Sequence, residues 1–514
     1  MFFFRKKRGV SQNKQSSESS PDLKYIPSSK KEMEMVIKSV LQDDTDLVIK
    51  SLQHPGKELT LFYFSTLTDR KIIQKSILSV LQNLQAPSPS LEEIEASLPI
   101  GEVQVTESLD QVIQTLHNGW TLLHIEGKTN ALLINTFGMK ERGLTTPENE
   151  SHVFGPQVSF NESLATNTGL IRKYIASPKL HNENLEVGKI TRTKVSMLYI
   201  EGVASEQNVN TLRQRITELE LDQLIDSSML VQLIEDNSMS VFPQMMLTER
   251  PDRVSAFLLE GKLAVLVDGS PYAIVCPSTF IEFFQTSEDY YVRWNMATFV
   301  RMLRMIAMFL SIFFTPVYVA SLTFHYEVIP SALLVPLAQS RAKVPFPPLF
   351  EALLLELIIE FLREAGARLP TKVGQTMGIV GGIVIGQAAV QAGFTSNILI
   401  IIVALGALSS FTTPSYMMGT TIRIIRFPMI LLAGIWGGFG IMFGFCFLLI
   451  HLLRQSSLGS PYLEPFYPIR LRDLQNSVVR MPFPFFSKRM VLTRAEDKGK
   501  FNAKRAKQKK DIDE

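Results

Sequence analysis

Residues 353–370 read LLLELIIEFLREAGARLP and place Glu356, Glu360 and Glu364 at four-residue spacing along an otherwise apolar helix. At i, i+4 and i+8 the three carboxylates stay within about 80° of one face, and Leu354, Leu357, Ile358, Phe361 and Leu362 cover the rest. Carboxylates are costly at the centre of a bilayer, so this stripe has to meet water or a partner chain. Either the helix lies in the interface with its acidic side wet, or several copies assemble a ring of carboxylates that forms a cation vestibule.

The flanking sequence is of membrane grade. Residues 373–422 contain no Asp, Glu, Lys or Arg. That run is too long for one crossing, and GFTSN at 393–397 offers a turn, so a helical hairpin is expected. Upstream, MIAMFLSIFFTPVYVASL (305–322) has the length of a helix spanning about 30 Å of hydrocarbon. Arg301 and Arg304 precede it, which places the N-terminal region in the cytoplasm. A last span is expected from Phe427 to Leu453, followed by a tail whose residues 488–510 carry ten Lys or Arg and suit an anionic inner leaflet. With the Glu stripe in the interface there are four spans, and Arg423 and Arg426 fall on the outer side. If the stripe crosses, there are five.

Gly378, Gly382 and Gly386 form a small-residue stripe that lets another helix approach. Gly434, Gly438, Gly440 and Gly444 repeat the theme in the last span. Gln387 and Gln391, one turn apart beside the first stripe, are candidates for a pore lining, since amides in hydrocarbon require partners or water.

Up to about residue 295 charged and apolar residues mix as in a soluble α/β protein. A net charge of +3 over 514 residues does not suggest a nucleic-acid binder, and two cysteines, Cys276 and Cys446, exclude a disulfide framework. MFFFRKKRGV at the start is not a secretory signal peptide.

Strand-like runs recur. LTLFYF (59–64) is followed 62 residues later by TLLHIEG, and VSMLYI (195–200) 68 residues later by LAVLVDG. Each first strand precedes a helical pattern, DRKIIQKSILSVLQ or QNVNTLRQRITEL, and each second strand turns at a glycine into another apolar strand. The expected fold is therefore an α/β cytoplasmic region of two duplicated modules, then an α-helical multi-pass membrane domain. Its parts are a disordered leader (1–39), module 1 (40–140), a linker (141–187), module 2 (188–290), the transmembrane domain (296–455) and a cytoplasmic basic tail (456–514).

Catalytic signals are missing. IEGKTN resembles a phosphate loop but has Leu122 where the first glycine belongs, and its flanks are strands. The seven histidines lack metal spacing, and neither cysteine has a His or Cys neighbour. No enzyme, cofactor or metal site is expected. TERPD sets Thr248, Glu249, Arg250, Pro251 and Asp252 before a helical stretch, with Pro251 suited to a first turn and the charges to local pairing.

FGPQVSFNESLATNTGLIRKYI, FPQMMLTERPDRVSAFLLEGKLAVLVDGSP, EDYY, LIIEFLREAG and SPYLEPFYPIRLRD together resemble the A subunits of GerA-type spore germinant receptors, over about residues 40–490. The resemblance implies a multi-pass protein of the spore inner membrane. It would work with a permease-like B subunit, the usual candidate for holding the nutrient, and a lipoprotein C subunit. It also implies homo-oligomers that form a nutrient-gated channel for monovalent cations. Two rival readings stand beside this one: a paralogous A-subunit-like protein associated with dipicolinate release, and a non-conducting scaffold coupling a sensor to downstream proteins.

Overall fold

The computed structural model describes residues 25–41, 44–54, 57–84, 90–138, 146–369 and 386–501. The chain divides at Gly138 into two compact units. In the first, strands β1 (Leu47–His54), β2 (Lys57–Phe64), β3 (Val103–Thr106), β4 (Trp120–Ile125) and β5 (Ala131–Asn135) form an antiparallel sheet in the order β1-β2-β4-β5-β3. Side chains alternate across each strand, so Phe62, Leu122 and Leu133 share one core with α1 (Lys30–Leu41) and α4 (Leu109–His117). Leu61, Leu123 and Leu132 share another with the helix α2 over 70–83 and with α3 (Leu91–Ser97). Because both faces are covered, β2 and β4 read as continuous apolar runs.

The second unit repeats this order as β6-β7-β9-β10-β8, from β6 (Leu180–Val187), β7 (Thr193–Ile200), β8 (Met246–Thr248), β9 (Leu263–Val267) and β10 (Ala273–Cys276). Helices α6 (Glu206–Thr217) and α7 (Ser227–Ile234) cover one face. On the other face lie α5 (Leu164–Tyr174) and α8 (Pro251–Leu259).

The elements extend past the expected boundaries. Met33, Ile37 and Leu41 of α1 are core residues, so the first unit reaches into the stretch read as a leader. Strand β6 and helix α5 lie in the stretch read as a linker. Their polar residues hid them, since β6 is an edge strand with only one neighbour.

The α5/α8 core runs without interruption into apolar helices, because Phe280, Phe283, Met308, Ile312, Met418 and Ile422 belong to it. Among the described residues two helices are long and apolar enough to cross a membrane: α9 (Trp294–Thr323) and α14 (Tyr416–Arg454). Between them lie α10 (Ser331–Arg341), α11 (Pro348–Arg368), α12 (Gly386–Gln391) and α13 (Asn397–Ser410). The chain turns between α12 and α13, at the GFTSN segment.

Helix α14 corrects the reading of the last span. It begins at Tyr416 rather than Phe427, which puts Arg423 and Arg426 inside the helix. It also breaks at Gly437 (φ 59°, ψ −137°). A Cβ on Gly444 would stand 2.5 Å from Met429 Sδ, although a continuous helix would separate those positions by roughly 22 Å. The two arms, 416–436 and 438–454, therefore fold back on each other. Thr421 Oγ1 on one arm donates to Val241 O (2.7 Å), and His451 Nε2 on the other lies 3.0 Å from Ser240 Oγ. At the far end Gly437 meets Phe324 and His325, just beyond α9.

The segment after Arg454 folds back too. Tyr462 is buried, its carbonyl accepts from Phe280 N (2.9 Å), and its hydroxyl donates to Pro243 O (2.6 Å). Helix α15 (Leu471–Ser477) follows. Residues 456–501 thus belong to the second unit, and the remainder of the basic tail lies outside the described residues.

Candidate functional site: a carboxylate ladder in the helical bundle

Helix α11 starts at Pro348, whose missing N–H suits a first turn, and carries Glu351, Glu356, Glu360 and Glu364. The acidic stripe is graded in depth. Glu351, in the first turn, is buried; its Oε1 accepts from Ser396 N (2.6 Å) and Thr395 Oγ1 (3.0 Å), and its Oε2 lies 2.9 Å from Arg341 Nη1. Glu356 is 1% exposed, and its Oε2 lies 2.6 Å from Nη1 of Arg426, also 1% exposed. Thr315 Oγ1 donates to the other Glu356 oxygen at 3.0 Å.

The Arg426 guanidinium is bonded on three sides. Nε donates to Ser311 O (2.6 Å), and Nη2 donates to Ser311 Oγ (2.5 Å) and Gly406 O (3.1 Å). Glu356 and Arg426 therefore join α9, α11, α13 and the first arm of α14 at one point. The expectation that all three stripe residues face water or partners does not hold for Glu356, because Arg426 supplies the countercharge inside the chain.

Toward the end of α11 the ladder opens. Glu360 Oε1 lies 3.1 Å from Arg363 Nη1 and 3.6 Å from Arg423 Nε. Arg363 also stacks over the Phe411 ring at 4.6 Å. Glu364 is 65% exposed and bonds only to Arg368, itself exposed, one turn on. An exposed i, i+4 pair contributes at most about 0.5 kcal/mol, whereas breaking a buried pair from one side costs about 3–5 kcal/mol. The upper rungs are sealed inside the bundle, and the last one, Glu364, is open to solvent.

Other candidate residues fall elsewhere. Gln387 and Gln391 are exposed on α12, and among the described residues nothing lies within 4 Å of a Cβ placed on Gly386. Gly378 and Gly382 lie outside the described residues. Gly434 does make a close approach, since a Cβ there would stand 2.6 Å from Leu349 of α11.

TERPD forms a buried clasp. The Glu249 carboxylate accepts from Asn149 N (2.7 Å) and Glu150 N (2.8 Å). Arg250 is fully buried; its fork engages Asp252 at 3.1 and 3.2 Å and donates to Pro156 O (2.7 Å) and Glu150 O (3.2 Å). Thr248 donates to Glu150, and Pro251 opens α8. Tyr291 donates to Asp252 Oδ2 (2.8 Å); burial and this carboxylate hold its phenol well above the usual range. Asp289 then grips Arg301 (2.8 Å) and Arg304 (3.0 Å) at the start of α9. These contacts tie the segment before α8 to the entry of the first long apolar helix.

In the sequence Arg426 entered only as a charge on the outer side of a span, and Arg341, Glu150 and Asp289 had no assigned role. Arg426 had a usable signal: an arginine within an apolar run needs a buried partner, and between the first and last apolar runs the acids are Glu327 and those of 351–364. Among the described residues no group of three or more His, Cys, Asp or Glu is placed to hold a metal.

An α/β module whose core continues into an apolar helical bundle with an internal charge ladder is the arrangement of a membrane-associated protein. The sequence profile of the family described as Bacillus/Clostridium GerA spore germination protein matches residues 35–492. Spore germination protein GerQA of Bacillus cereus is 46% identical over 464 residues, covering 90% of this chain and 93% of that protein. Spore germination protein KA of Bacillus subtilis (strain 168) is 38% identical over 486 residues, 93% of this chain and 88% of that one. The crystal structure of the N-terminal domain of the A subunit of the Bacillus megaterium spore germinant receptor GerK3 is similar at 26% identity and a TM-score of 0.39, covering 50% of this chain and 97% of that one. The chain belongs to the GerA spore germination family, the A subunits of spore germinant receptors.

Proposed function

We propose that the chain is the A subunit of a nutrient germinant receptor in the spore inner membrane. In this reading it oligomerises with copies of itself, beside a permease-like B subunit and a lipoprotein C subunit, into a nutrient-gated channel for monovalent cations. Helix α9 and both arms of α14 cross the membrane, with the α/β modules on the cytoplasmic side and the Gly437 tip on the other. Supporting this orientation, both arm ends bond the module loop at Ser240 and Val241, and the tip meets the far end of α9.

One observation carries the conduction reading. Along α11 the charge passes from a rung sealed by Arg426 to Glu364 at the exposed end, where its pair with Arg368 is open to water, so a membrane-grade helix retains a hydrated, charged mouth without an uncompensated buried charge. Neutralised upper rungs hold the helix in register, and Glu364, held only by an exposed and therefore weak pair, is the carboxylate open to cations.

The test is potassium release from liposomes holding the A, B and C subunits together. Nutrient-dependent release is expected. Release that never exceeds that of protein-free liposomes, with all three subunits incorporated, would favour the non-conducting scaffold.

A further inference from the structure

The second unit contains a cavity of about 570 Å³ between α8, the segment before α9 and the returning chain after α15. Its volume lies in the range of ligand pockets, roughly 300–1,000 Å³. One part of the wall is aromatic, with Phe257, Phe483, Phe486 and Phe501. Another part carries Lys500 and Arg489; the Arg489 guanidinium is held at the wall by Asp497 (2.9 Å) and by Leu259 O (2.8 Å). Lys500 pairs with Glu260, whose Oε2 is buried and has no hydrogen-bond partner among the described residues. An aromatic wall, two cations and an unpaired acceptor suit an amphiphile whose head bears both an anion and a hydroxyl donor.

The position identifies the source. Arg480 stacks on Phe483 at 4.2 Å, and its backbone is tied to Thr298 in the first turns of α9 (Arg480 N to Thr298 Oγ1, 3.2 Å). Around Thr298, Met296, Phe299 and Met302 are exposed apolar residues. If α9 crosses the membrane, as the proposed function has it, these residues meet the leaflet and the cavity stands beside them, within reach of a lipid that leaves its layer only in part. The chain after residue 487 is rich in Lys and Arg, which favours an anionic leaflet at this point.

We infer that the cavity holds an anionic glycerophospholipid with a hydroxyl-bearing head. Its acyl chain lies along the phenylalanines, its phosphate meets Arg489 and Lys500, and its head hydroxyl donates to Glu260. Such a lipid bridges α8, which begins in the TERPD clasp, and the membrane surface at α9.

The test uses full-length protein in vesicles containing phosphatidylglycerol with a photoreactive acyl chain, with labelled peptides mapped by mass spectrometry. Label is expected on residues 251–262 and 483–501 as well as on α9. Arg489→Gln should lower the cavity label about five-fold, the loss of one interfacial cation. Ala256→Trp, which fills the space from its wall, should abolish it and leave the α9 label unchanged. A phosphatidylcholine probe, or phosphatidic acid without the head hydroxyl, should label the cavity less, and soluble glycerol phosphate should not compete. Label on α9 with none in the cavity overturns the lipid site alone. Label on neither overturns the membrane reading on which it rests. Full displacement by glycerol phosphate shows a soluble ligand and also overturns the lipid site.

Discussion

Arg426 on α14 and Glu356 on α11 form an ion pair at 2.6 Å with both side chains sealed inside the bundle. Seventy positions apart in sequence, they supply each other's countercharge where water does not reach. Removing one partner strands the other, so Arg426→Leu should lower stability by about 3–5 kcal/mol. The double variant Arg426→Leu with Glu356→Leu should recover most of that loss, because a matched apolar pair carries no desolvation cost. Thermal denaturation of the detergent-solubilised protein measures both; equal losses in the single and double variants would contradict the pairing.

Gly437 occupies the left-handed region at φ 59°, and a Cβ there would stand 2.8 Å from Phe324 Cβ. Gly437→Ala is therefore expected to cost about 1–3 kcal/mol through strain and overpacking. Gly366→Ala, on α11 with no described atom within 4 Å of the added Cβ, should be neutral or stabilising by up to about 1 kcal/mol. Thermal shifts of the two variants should differ in sign or by several degrees, and equal shifts would remove the hairpin tip from this account.

Much of the α/β architecture was legible because it rests on short-range pattern. The runs LTLFYF, TLLHIEG, VSMLYI and LAVLVDG became β2, β4, β7 and β9, each occupying the same place in its sheet. Strand β6, LHNENLEV, was missed because an edge strand tolerates polar residues that a central one does not. The site was legible only in outline. Spacing identified the acidic side of α11, but the pairing of Glu356 with Arg426 depends on how separate helices cross, and the reversal at Gly437 leaves no mark in the hydropathy of a 39-residue apolar run.

Arg250 binds Asp252 and two carbonyls of the preceding segment with a planar fork that lysine lacks. Arg250→Lys should loosen residues 146–157 while leaving both sheets intact. Limited proteolysis with a broad-specificity protease checks this. New cleavage within that segment is expected, and an unchanged digestion pattern would show that the clasp does not hold it.

Cys276 is buried at the end of β10, and burial pushes its thiol up to about 12 from an ordinary 9. The unfolded chain ionises this thiol first, so its contribution is fully present below pH 9 and is lost as pH rises from 9 through about 12. The loss is on the order of 4 kcal/mol at the upper limit. Cys276→Ala should flatten the alkaline fall in melting temperature relative to the parent. Parallel curves for the two proteins between pH 9 and 11 would contradict this burial.

The central claim is that the open end of α11, at Glu364 and one turn before it at Glu360, draws cations through pairs weaker than the sealed one of Glu356 with Arg426. Its most direct test is the reversal potential across planar bilayers holding the assembled receptor in a potassium chloride gradient, for the parent and for Glu360→Gln with Glu364→Gln. The account predicts a cation-selective parent whose selectivity falls in the double variant, most strongly at low ionic strength, where a Debye length of about 30 Å at 0.01 M leaves rim charges unscreened. An unchanged reversal potential in a variant that still conducts would contradict it.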